Sequence, residues 1–153
     1  MQQYTNELTP EILAAFNLSP FTAEQHAKMD EGSQALIAER TAYNRAHPVT
    51  AAYLIATEDS LTRDGGTVFS EYNGQQIETE CGKRLNVSRV GDEVRYPDGT
   101  TAKIITGVGK TFGDSAALVG SSLDNGDEII SSPQGRVMRV VRAGESLPEK
   151  FLK

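Results

Sequence analysis

Three stretches between residues 56 and 131 loosely repeat one another. Ala56-Thr57-Glu58-Asp59-Ser60-Leu61 leads through Asp64-Gly65-Gly66 into Thr67-Val68-Phe69. Arg89-Val90-Gly91-Asp92-Glu93-Val94 leads through Pro97-Asp98-Gly99 into Ala102-Lys103-Ile104-Ile105. Leu118-Val119-Gly120-Ser121-Ser122-Leu123 leads through Asn125-Gly126 into Glu128-Ile129-Ile130. Each stretch reads as a strand end, a small or acidic turn, an apolar residue, a glycine-containing turn and a second strand. A unit this short cannot bury a core alone, so the three must pack on one another. The expectation is a mainly β fold with pseudo-three-fold symmetry.

The surrounding pattern agrees. From Pro48 onward, short β-prone runs alternate with Gly, Asp, Asn and Pro. Strands are expected at 52–57, 67–72, 84–90, 102–106, 116–119, 128–131 and 137–141. Asn73-Gly74, between Val68-Phe69 and Ile77, signals a hairpin. The β domain is placed at residues 50–142, followed by a tail at 143–153 too short for a further enzymatic domain.

Residues 1–49 read as a helical N-terminal extension. Thr9-Pro10 suits an N-cap followed by proline at the first helical position, with a helix through Ile12 to Phe16. Asn17-Leu18-Ser19-Pro20 ends it. Thr22 and Gln25 have capping-box spacing. A longer helix is expected from there towards Arg45, weak at Gly32 and stopped by His47-Pro48. Such an arm either packs on its own domain or docks an effector or adaptor.

Composition narrows the function. A net charge of −6 repels phosphate, so no nucleic-acid partner is expected. No apolar run has the length of a membrane-spanning helix. The start of the chain lacks the basic and apolar segments of a secretory signal. The chain is therefore expected to fold in the cytoplasm and to leave, if it does, without a signal peptide.

Catalytic patterns are sparse. Gly107-Val108-Gly109-Lys110-Thr111 resembles a phosphate loop, but Ile104 stands where its first glycine belongs. The only histidines, His26 and His47, lie in the helical region, away from any serine elbow. Glu58 with Asp59, and Asp92 with Glu93, fall at turns, where acidic side chains bond the backbone. Cys81 is the single cysteine and is expected to be a small buried apolar residue.

Asn86-Val87-Ser88-Arg89-Val90-Gly91-Asp92 resembles the Pro-Ala-Ala-Arg stretch, followed by Val-Gly-Asp, that names the PAAR-repeat family. Ser115-Ala116-Ala117-Leu118-Val119-Gly120-Ser121 is a second copy. Asp59 followed by Gly65-Gly66-Thr67-Val68 is similar to the family's opening pattern. The likeness covers about Tyr53 to Arg136, although the first copy lacks the namesake proline and both alanines. It implies a small pseudo-three-fold cone that caps and sharpens a trimeric β-helical spike of the VgrG type. One copy would sit on each trimer of a type VI secretion or related contractile injection system. The role would be non-enzymatic: piercing, with transient contact with a target membrane, and effector loading through the N-terminal helices.

The family also implies a zinc ion held near the tip by histidines and a cysteine. Here Asp64 precedes Gly65-Gly66, Tyr96 precedes Pro97, and Cys81 lies elsewhere. The zinc site is therefore not carried over, and packing by Phe69, Tyr72 and Tyr96 is expected instead. The alternatives are a phage tail-tip or baseplate component on the same scaffold, and a small hydrolytic effector using Cys81 or a carboxylate pair.

Overall fold

A computed structural model describes residues 3–17, 22–109, 116–145 and 151–152. Ser115, Lys110, Thr111, the break expected at 18–20 and residues 146–150 of the tail lie outside the described residues. The fold is mainly β, with a short helical region and several small antiparallel sheets. The chain divides into two units. A β unit holds Met1–Asn6, Ala52–Arg139 and Ser146–Lys153; a helical unit holds Glu7–Ala51 and Val140–Glu145.

The helical unit contains α1 (Pro10–Asn17), α2 (Ala23–Ala27) and α3 (Glu31–Ala46). The Thr9 hydroxyl accepts the Ile12 amide at the start of α1. Thr22 and Gln25 form the reciprocal capping box at α2. The single long helix expected from Thr22 to Arg45 is broken, but at Asp30 rather than Gly32. The Asp30 carboxylate accepts the Ser33 amide at 2.6 Å and so starts a new helix, leaving Gly32 in its first turn. α3 ends at His47, because Pro48 has no amide to continue it. Tyr43 stacks on His47 with ring centroids 4.3 Å apart and donates its hydroxyl to Glu145. Among the described residues, no helix is long and apolar enough to cross a membrane.

The β strands are β1 (Val49–Leu54), β2 (Leu61–Thr62), β3 (Thr67–Phe69), β4 (Gln76–Glu78), β5 (Arg84–Asn86), β6 (Glu93–Arg95), β7 (Thr101–Lys103), β8 (Ile129–Ser131) and β9 (Met138–Arg142). One sheet has the order β7-β6-β3-β2-β8; β4 pairs with β5, and β1 with β9. Most strands are shorter than expected because the chain turns every few residues, whereas β1 and β9 keep the expected lengths but are shifted along the chain. Residues 116–119 form no strand: Ala116 and Leu118 make single bridges, and the chain turns at Val119-Gly120. The hairpin expected across Asn73-Gly74 is also absent. β3 pairs with β2 and β6, while β4 turns back onto β5 through Gly82 at φ +85°.

The same bonds recur in each repeat. Ser60, Asp92 and Ser121 donate their amides to the carbonyls of Thr57, Arg89 and Leu118 three residues earlier. Their side-chain oxygens accept the amides of those same three residues. The third residue of each turn, Asp59, Gly91 or Gly120, has positive φ, as a type II turn requires. A hairpin follows, tipped by Gly65, Gly99 or Gly126 at positive φ. The first repeat thus aligns one residue later than the sequence pattern suggested.

The repeats are joined in a closed circuit. Ala56 donates its amide to the Ala117 carbonyl at 2.9 Å, Ala117 to Ser88 at 2.8 Å, and Ser88 back to Ala56 at 2.9 Å. All three residues are fully buried. Each such bond nets about 1 kcal/mol, but leaving a partner unmet in this buried place costs about 1–3 kcal/mol. The hairpins join in the same cyclic sense. β3 pairs with β6, Ile104 bridges to Leu123, and β8 pairs with β2. The core takes corresponding buried residues from each repeat: Ala56, Ser88 and Ala117; Val68, Ile104 and Ile129; Thr62, Val94 and Leu123.

Candidate functional site

Each bridge flanking this circuit joins two of the repeats. Ile55 bridges to Leu118, Val87 to Thr57, and Ala116 to Arg89. Ile55, Val87 and Ala116 each precede a member of the Ala56–Ser88–Ala117 ring by one residue. They line an open depression of about 600 Å³. Gly74–Ile77 segment residues, Val108, Val137 and Met138 also line it. The rim is bonded to the floor: Ile55 donates its amide to Val137, Val87 to Gln75, and Val108 to Ala116. The lining is mostly aliphatic, with Arg139 its one charged member among the described residues. Such a surface binds by excluding water.

At the hairpin turns the three repeats meet in a polar cluster. The Tyr96 hydroxyl donates to Asp127 Oδ2 at 2.5 Å, and the amides of Asp64 and Glu128 donate to Asp127 Oδ1. Asn125 Nδ2 donates to the Tyr96 oxygen. Asp127 is only 1% exposed. Burial pushes its carboxyl up, but hydrogen bonds from Thr62, Tyr96 and the two amides outweigh that and hold it below its ordinary value. Burial, then the Asp127 hydrogen bond, raises Tyr96. Gly66 fits beneath this cluster because it lacks a side chain: a Cβ would lie 2.6 Å from Val94 and 2.8 Å from the Tyr96 ring. Gly65 supplies the positive φ of the turn.

Of the aromatic residues expected to pack a tip, only Tyr96 belongs to this cluster. Phe69 and Tyr72 are instead covered by the guanidinium groups of Arg95 and Arg89, each 3.8 Å from the ring centroid. Those four residues line a separate polar recess of about 310 Å³. Among the described residues, no three His, Cys, Asp or Glu side chains gather as a metal site.

The sequence-selected residues are spread over these features. Asn86 donates its amide to the Glu58 carboxylate and its Nδ2 to the Ser70 carbonyl. The Val87 side chain belongs to the depression, and the Ser88 hydroxyl pairs with Ser70 at 2.8 Å. Arg89, Gly91 and Asp92 build the second repeat's turn, and Val90 is exposed. Ala116 lines the depression, Ala117 joins the ring, and Leu118 is fully buried. Sequence reasoning missed Ile55 and Asp127. Placing Ile55 on the same footing as Val87 and Ala116 needed the one-residue shift of the first repeat.

Cys81 departs from expectation. It is exposed, not buried, in the β4–β5 turn. The Thr79 hydroxyl, 3.0 Å away, and then the Lys83 amide lower its thiol below the ordinary value. The second acidic pair is engaged locally, Asp92 with the Arg89 amide and Glu93 with Arg95, whereas the first reaches further along the chain, Glu58 to the Asn86 amide and Asp59 to Lys83. Comparison with protein-family models, with curated proteins and with solved structures gave no match.

Proposed function

We propose that the three repeats form a pseudo-three-fold cone of the PAAR type, and that this chain is a non-enzymatic tip for a trimeric β-helical spike. The observation that carries the reading is the ring of Ala56, Ser88 and Ala117 beside an apolar floor of Ile55, Val87 and Ala116. One chain thereby offers three equivalent positions, which suits a partner whose end is built from three identical chains. The end of a β-helix exposes unpaired backbone groups and apolar side chains. A cap satisfies both, by strand addition at the rim and burial at the floor. The three hairpin turns, tied by Tyr96 and Asp127, then form the leading point. In this reading the chain leaves the cell on a type VI secretion or related contractile spike, touches the target membrane transiently, and carries an effector or adaptor on its helices.

The test is the mass of the complex formed with the trimeric spike protein encoded beside this chain. One chain per trimer is the expected result. No complex, or three chains per trimer, removes the tip assignment.

A further inference from the structure

We infer that residues 7–51 are an insertion, spliced into the β unit between Asn6 and Ala52 at a point that accepts a separate segment. The N-terminal residues do not belong with the helices. Tyr4 and Ser132 exchange both backbone hydrogen bonds, at 2.8 and 2.9 Å. Gln3 donates to the Asp59 carbonyl and accepts from the Ser131 hydroxyl. The Tyr4 ring lies so close to Gly135 that a Cβ there would meet it at 2.8 Å. These residues form a strap across the first and third repeats.

Asn6 closes the strap. Its Oδ1 accepts the Leu54 amide at 2.8 Å, and its Nδ2 donates to the Val119 carbonyl at 2.7 Å. Val119 in turn donates its amide to Leu54. The Asn6 side chain therefore acts as an extra peptide group at the junction of two repeats. It also binds the point where the chain leaves the β unit to the point just past its return. Exit and re-entry thus lie within reach of one side chain, the arrangement that tolerates domain insertion. The segment between them supplies its own caps at Thr22 and Asp30, and no residue of α2 or α3 is buried. Only Val140–Glu145 leaves the later chain to join it.

The consequence is that a deletion of residues 1–51 and a deletion of 7–51 should behave differently. With a short Gly-Ser linker from Asn6 to Ala52, the β unit keeps its strap and is expected to melt within a few degrees of the full chain's β transition. Removing 1–51 strips six strap hydrogen bonds and should lower that transition by roughly 10 °C or more. Equal melting of the two deletions overturns the inference. Amide exchange on the intact chain is the second readout. The Leu54 and Ser132 amides should exchange with those of Ala56, Ser88 and Ala117, at least about tenfold more slowly than those of α3. A single common opening for α3 and these amides overturns it. Should the 7–51 deletion fail to fold for want of a partner for Val140–Glu145, the exchange result decides alone. Neither readout requires a spike, so the outcome is independent of the tip assignment.

Discussion

Asp127 illustrates how a single side chain can join three turns. A buried carboxylate is tolerated only if donors surround it, and here they come from Thr62, Asp64, Tyr96 and Glu128. Because the folded-state carboxyl titrates below its unfolded value, the stability it contributes is complete above the unfolded value, near pH 4, and is lost as pH falls through the folded one. Tyr96, raised in the fold, contributes stability that is lost only as pH climbs past about 10. The protein should therefore lose melting temperature steeply below about pH 4, and Asp127→Asn should flatten that acid limb. Tyr96→Phe removes a donor from a buried charge and should cost about 1–3 kcal/mol at pH 7. Thermal melts of the three proteins from pH 3 to 8 check this; parallel acid limbs for wild type and Asp127→Asn would refute it.

Among the elements, the repeated turns carry the clearest conformational demand. Asp59, Gly91 and Gly120 occupy the same place at φ +69°, +97° and +110°. A Cβ on Gly91 would meet nothing within 4 Å, so a substitution there probes backbone strain alone. Gly91→Ala should destabilise by about 1–2 kcal/mol, the cost of the left-handed region for an L-residue. Gly91→Asp should cost less although it is larger, because aspartate tolerates the left-handed region better than alanine does, and Asp59 occupies it in the first repeat. Urea denaturation of both variants gives the order; an aspartate variant less stable than the alanine one would overturn the argument. Elements of this local kind were legible in the sequence. The Thr22–Gln25 capping box and the stop at Pro48 each depend on residues within four positions. Pairing was not legible: Asn73-Gly74 looks like a hairpin, but β3 is already occupied on both sides by β2 and β6. Nor was Asp127, whose Tyr96 and Asp64 partners lie 31 and 63 residues away.

At the scale of the molecule, the repeats matter because the same turn bonds recur on unequal side chains. The ring needs only a small residue from each repeat, and Ala56, Ser88 and Ala117 supply it. The floor of Ile55, Val87 and Ala116 keeps the pattern while varying in size, so a partner with identical chains would meet three similar but unequal seats. If that depression is where the proposed spike docks, its rim can be altered without touching the core. Val137 lines it, is 43% exposed, and contributes its backbone carbonyl rather than its side chain to the bonds with Ile55 and Gln134. Val137→Glu should fold normally and weaken spike binding by at least about tenfold, the worth of one buried valine before the cost of an unpaired charge is added. Ile105 is similarly exposed but outside the depression, so Ile105→Glu should bind as the wild type does. Calorimetric titration of the three proteins against the spike trimer distinguishes the surfaces. Equal affinity of all three would move the contact away from the depression, and selective loss with Ile105→Glu would move it to the hairpin face.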